Sequence, residues 1–167
     1  MSREADALTR ANSAVHAELE ARVVTHRLAV MAMDRDRAWS TWIAFATLLE
    51  RHIEDENELV QPRHREQCAL TPAERGGSPE IVDRDHDKLL EHLRSIRARL
   101  GALSDPVVAT EWLGLLDREK VLTDLLEHHD LRETNLVYPR LADGLSEEQV
   151  ATIAARFAAS LDSSPER

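Results

Sequence analysis

Two stretches decide how this chain is read: His52-Ile53-Glu54-Asp55-Glu56, followed by Pro62, and His129-Asp130-Leu131-Arg132-Glu133, followed by Pro139. Each sets a His and a Glu four residues apart, with a proline six residues past the Glu. On an α-helix that spacing puts both side chains on one face, a turn apart, so both can reach one point beside the helix. Proline lacks the N–H that continues a helix, so Pro62 and Pro139 mark where each helix is expected to be ending. Upstream of each pair lies a segment that brings a further His to the inward side: His16 before the first, His86 before the second. The order single His, His-x-x-x-Glu, proline therefore occurs twice.

Four long helices carry these residues. Glycine is scarce, at five, and β-branched runs are absent, so the chain reads as nearly all helix. Polar breaks at Asp34–Arg37, Pro62–Pro79 and Gly101–Pro106 separate the helices. Ser78 before Pro79 has the form of an N-cap followed by a first-turn proline, and Asp105 before Pro106 repeats it. Ser146-Glu147-Glu148-Gln149 looks like a capping box opening a short last helix. The expected architecture is all-α: a four-helix bundle over about residues 5–142, with a C-terminal helix over about 146–161, in one domain spanning 1–167.

Composition narrows the function classes. The chain has 167 residues, enough for a real core, and a formal charge of −10 from 31 acids against 21 bases. A phosphate-binding face needs excess base, so nucleic acid is not an expected partner. No apolar run reaches the roughly 20 residues of a membrane span, and the polar start MSREADALTRAN has no signal-peptide character. Cys68 is the single cysteine, which excludes an internal disulfide and a thiolate cluster and favours a cytoplasmic location.

Written at steps of four and three, the inward stripes are apolar except at their middles. Helix 1 has Asn12, His16, Leu19, Val23 and His26; helix 2 has Phe45, Leu49, His52 and Glu56; helix 3 has Val82, His86, Leu89 and Leu93; helix 4 has Leu122, Leu126, His129 and Glu133. Two buried Glu and four buried His at one level, with no Lys or Arg on those stripes, are hard to satisfy by hydrogen bonds alone. A pair of metal ions satisfies them. Counting from the first turn, His52 and Glu56 bracket the level of His16, whereas His26 lies about 15 Å away at 1.5 Å per residue. His16 is thus the ligand candidate and His26 is not. Levelling His86 with His129 requires the aligned part of helix 4 to start near Gly114, with 106–113 overhanging the bundle or forming a separate turn.

The arrangement His16, His52-x-x-x-Glu56…Pro62, His86, His129-x-x-x-Glu133…Tyr138-Pro139 resembles the hemerythrin-like, or HHE cation-binding, domain over about residues 8–142. The resemblance implies an up-down-up-down antiparallel bundle holding an oxo- or hydroxo-bridged pair of iron ions. Glu56 and Glu133 would bridge them, with His16, His52, His86 and His129 as terminal ligands. Zinc or manganese is also compatible with these ligand types. The oxygen-carrying members have a second His four residues from the first on helix 3; here those positions are Val82 and Leu90. Asn57 and Thr134 stand where the family often has a further acid.

Four His rather than five leaves coordination positions open. That favours a non-haem di-iron protein that binds or reacts with a small oxidant (dioxygen, peroxide or nitric oxide) over a simple oxygen carrier. An iron- or oxygen-responsive regulatory bundle without turnover is the alternative, and a homo-oligomer is compatible with either. Behind the ligands, Asn12, His26 and Tyr138 are candidates to orient them; for His26 the plainer role is a hydrogen-bonded core histidine, and for Tyr138 aromatic packing. His64 and His92 are expected at the surface and His128 sideways towards solvent. Trp39, Trp42 and Trp112 are expected at the turn end of the bundle, and Cys68 as a free surface thiol.

Overall fold

The computed structural model describes residues 3–162, and within them every regular element is helical. Helix α1 spans Arg3–Met31, α2 Arg35–Leu59, α3 Gln61–Leu70, α4 Pro79–Gly101 and α5 Ala109–Arg132. A π-helical turn, Glu133–Val137, leads into α6, Tyr138–Ala142, and α7 spans Glu147–Asp162. The four long helices pack in a ring, α1 on α2, α2 on α4, α4 on α5 and α5 back on α1. Their inward stripes meet there: Leu19, Leu49, Leu89, Leu93 and Leu122 are almost wholly buried. No helix is long and apolar enough to cross a membrane among the described residues.

The first turn is tight. Met33 N–H bonds to Val30 C=O at 2.9 Å and Asp34 N–H to Ala29 C=O at 3.0 Å, closing α1 with Met33 in the left-handed region at φ 55°. Asp34 then caps α2, accepting from Arg37 N–H at 3.0 Å. A side chain in that region costs about 1–2 kcal/mol relative to glycine. Met33 is 60% exposed and so loses little packing on truncation. Met33→Gly is therefore expected to raise stability by up to about 1 kcal/mol, once the added chain entropy of glycine is offset; urea unfolding would show it.

Both prolines do something other than end a helix. Pro62 and Pro139 sit in the first turns of α3 and α6, where no intrahelical N–H is required. After Glu56 the chain stays in the right-handed region at Val60 and re-enters a helix, so the stretch read as a loop from Pro62 is helical to Leu70. This buries His64, which was expected at the surface. After Glu133 the ladder rewinds to an i→i+5 bond from Tyr138 N–H to Glu133 C=O. The cause is Pro139, whose ring clashes with an α-helical carbonyl four residues back.

Helix α5 begins at Ala109, capped where the Glu111 carboxylate accepts from Val108 N–H at 3.1 Å and Ser104 N–H at 3.1 Å, rather than at the Asp105-Pro106 signal. The Arg99 guanidinium lies against Gly114. Residues 109–113 extend the same helix beyond Gly114 and do not form a separate turn. Trp112 on that extension is buried, as is Trp42, while Trp39 stays 39% exposed.

Helix α7 opens with the expected capping box: Ser146 N–H to Gln149 Oε1 at 2.9 Å and Gln149 N–H to Ser146 Oγ at 3.3 Å. It lies across α1 and α2. Buried Asp55 accepts from Ser160 Oγ at 2.5 Å and pairs with Arg156 Nε at 2.6 Å. Phe157 packs edge-on against His52, with ring centroids 5.1 Å apart. The last helix thus covers the back of a candidate ligand.

Candidate metal centre

All six residues of the two motifs and the two single-His segments converge. Nε2 of His16 and His52 face each other at 3.2 Å, and Nε2 of His86 and His129 do the same at 3.2 Å. Glu56 stands between the imidazoles, with Oε1 3.5 Å from His52 Nε2 and Oε2 3.2 Å from His86 Nε2. Glu133 spans the other side, with Oε1 3.3 Å from His129 Nε2 and Oε2 3.7 Å from His16 Nε2. The donor atoms fall into two overlapping groups able to hold a metal ion: Glu56, His86, His129 and Glu133, and His16, His52 and Glu133. Glu133 belongs to both. All are buried except His16, which is nearly so.

Hydrogen bonds behind the ring orient it. Asn57, the residue after Glu56 on α2, accepts from Nδ1 of His86 at 2.9 Å. That sets the ring so that Nε2 faces the interior of the cluster. Asp85 faces Nδ1 of His129 at 3.8 Å and is itself held by the Arg132 guanidinium. Arg132 Nε also donates to the carbonyl of Gly76 at 2.7 Å, a glycine whose φ of +93° disfavours a side chain. The Tyr138 hydroxyl donates to Glu56 Oε1 at 2.7 Å and approaches Asn12 Oδ1 at 3.3 Å; Asn12 in turn donates to Asp130 Oδ1 at 3.1 Å.

Of the three residues expected behind the ligands, Asn12 and Tyr138 stand there and His26 does not. Both nitrogens of His26 are engaged elsewhere, Nε2 with Glu119 Oε1 at 3.0 Å and Nδ1 with Thr41 Oγ1 at 3.2 Å. Its ring leans on Trp42. Glu119 is fully buried and escaped the sequence reading, although it continues the α5 stripe one step before Leu122. Asn57, Asp85 and Asp130 were also missed as supports. Each is sequence-adjacent to a ligand, which was the available signal. His128 is exposed as expected, whereas His92 and Cys68 are half-buried.

Without a cation, the ring is electrostatically unbalanced. Both oxygens of Glu133 and Oε2 of Glu56 are buried with no hydrogen-bond donor, and Nδ1 of His52 and of His129 are buried with no hydrogen-bond partner. Burial, then the charge of Glu56, pushes the Glu133 carboxyl up to about 7. Burial also disfavours a charged Glu56, but the imidazoles of His52, His129 and His86 outweigh it and hold that carboxyl well below its ordinary range. At His52 burial wins and lowers the pKa to about 4. At His129 burial is overcome by Glu133, then Asp85 and Glu56, which raise the pKa to about 10. Burial, then the charges of Glu133 and Glu56, raises the Tyr138 phenol well above its usual value, so it remains a donor to Glu56.

Tyr138→Phe removes that donor and leaves a buried carboxylate oxygen bare. A hydrogen bond to a charged group contributes about 1.5–3 kcal/mol. The metal-free variant is expected to lose about that much in urea unfolding while still taking up metal.

No family model, curated protein or solved structure matches this chain.

Proposed function

We propose that the chain is an up-down-up-down antiparallel four-helix bundle, closed on one side by the C-terminal helix, whose interior holds a pair of iron ions. In this reading the protein binds or reacts with a small oxidant such as dioxygen, peroxide or nitric oxide. One observation carries the proposal: a fully buried carboxylate, Glu133, with neither oxygen hydrogen-bonded, lies among imidazole Nε2 atoms and belongs to both candidate ligand groups.

The residues fit a metal pair. Two ligands each about 2.1 Å from a common ion stand about 3.0–3.4 Å apart, and the contacts across the ring run from 3.2 to 3.7 Å. Four imidazoles and two carboxylates suit iron, manganese or zinc; the hemerythrin-like spacing favours iron. Iron bound there would supply a redox-active Lewis acid with coordination positions open to a small ligand.

The chain's own residues do the rest. Asn57 and Tyr138 fix the orientation of His86 and Glu56. Phe157, from α7, shields His52 from water. A single half-buried thiol, Cys68, accords with a reducing cytoplasmic setting.

Anaerobic loading with ferrous iron, followed by optical spectra on adding each oxidant separately, tests the function. A new charge-transfer band with at least one oxidant is expected. An iron-loaded protein whose spectrum none of them alters would contradict the reactive reading.

A further inference from the structure

The paired centre proposed above is not equally shielded on all sides. A groove of about 590 Å³ runs between α1 and α5, and His16 lines it together with Ala17, Glu20, Arg27, Glu127 and Asp130. The other three imidazoles of the ring do not line it. The side chain of His16 is 9% exposed, against 1% for His52 and for His129 and 3% for His86. Behind His16, at 3.7 Å from its Nε2, stands Oε2 of Glu133, buried and without a donor.

Asp130 occupies the threshold between groove and ring. Its Oδ1 is 3.7 Å from His16 Nε2, the same separation as Glu133 Oε2 on the inner side. Asn12 Nδ2 and Thr134 Oγ1 hold that oxygen from behind at 3.1 and 3.5 Å. The Asp130 side chain is 33% exposed, so it meets solvent and ring at once. Glu20 and Glu127 add negative charge along the groove. Its one cation, Arg27, is engaged at the groove wall, donating to Thr123 Oγ1 at 3.1 Å and facing Glu119 at 3.6 Å.

We infer that the α1–α5 groove is the way in for the metal cation, and that Asp130 is its docking ligand, receiving it with His16 before it moves inward to Glu133. The inference rests on the paired-metal reading and adds a route and a residue to it. A groove in which acids outnumber bases concentrates cations and can raise their arrival rate by about 10–10³-fold. Asp130 offers a carboxylate oxygen to a cation that is still partly hydrated, and His16 is the ligand nearest that oxygen. Glu133 then provides what Asp130 lacks, an oxygen out of reach of water.

The test is the rate of anaerobic ferrous-ion uptake by the metal-free full chain, followed by quenching with a chelator and counting the protected iron. Asp130→Asn keeps an oxygen for Asn12 but removes the charge. Ala17→Trp leaves every charge in place and plugs the groove from an exposed position of α1. Both variants are expected to take up iron about tenfold more slowly or worse and to reach the same final count as the parent. The parent rate is also expected to fall as salt rises. Asp117→Asn serves as the control and is expected to match the parent. Unchanged uptake in both variants would overturn the inference, and so would a lower final count at an unchanged rate. A parent chain that protects no iron at all would instead overturn the paired-metal reading itself.

Discussion

Glu133→Gln is expected to cut metal loading from two ions to one and, in the metal-free protein, to increase stability. Glu133 supplies an oxygen to both candidate ligand groups; without it only His16 and His52 remain of one, while Glu56, His86 and His129 still offer three ligands in the other. In the metal-free chain the same carboxylate is a liability, buried without a donor and beside Glu56. Its pKa in the folded state is raised to about 7 from an ordinary 4.5. Below about pH 4.5 the carboxyl is protonated in both states and costs nothing. Between 4.5 and 7 the folded chain binds the proton that the unfolded chain releases, so stability falls as pH rises. Above 7 the full penalty of the buried charge applies. The metal-free Gln variant should therefore exceed the parent in stability at pH 8 and lose its advantage near pH 4. Urea unfolding at the two pH values checks this. A variant less stable than the parent at pH 8 would show that the carboxylate has donors after all.

His16→Ala and His26→Ala are expected to have opposite effects. His16 belongs to the group His16, His52 and Glu133, so its removal should lower the count from two ions to one while sparing the ion held through His86 and His129. His26 touches neither group. Its partner is Glu119, fully buried, and removing the imidazole leaves that carboxylate with only the Arg27 contact at 3.6 Å. Losing a hydrogen bond to a buried charged group costs about 1.5–3 kcal/mol. His26→Ala should thus load metal normally and unfold at markedly lower urea. Normal loading in His16→Ala with failure in His26→Ala would reverse the ligand assignment.

These two histidines also show how far the sequence could be read. The counting that separated them needed only a turn near residues 32–38 and 1.5 Å per residue, and the turn lies at 32–34. The four stripes were legible because a 3.6-residue period with ionisable residues at mid-span has few explanations in a helical chain. Less legible was anything set by backbone irregularity. Pro62 and Pro139 read as stops, yet a proline in a first turn is compatible with a new helix, and the choice depends on packing that comes later in the chain. The buried position of His64 followed from that choice. The π-turn at Glu133 has no local signature beyond Pro139. Nor could the stripes reveal the role of α7, because Asp55 points away from the ring and meets Arg156 and Ser160 about a hundred residues later.

The central claim is that the His and Glu ring is a two-ion metal centre, and the metal content per folded chain tests it most directly. Anaerobic reconstitution with excess ferrous iron, removal of loose metal, and elemental analysis against protein concentration gives the number. Two ions per chain are expected, one for each candidate ligand group. A folded chain that retains none, with iron, manganese and zinc each offered, would contradict the account.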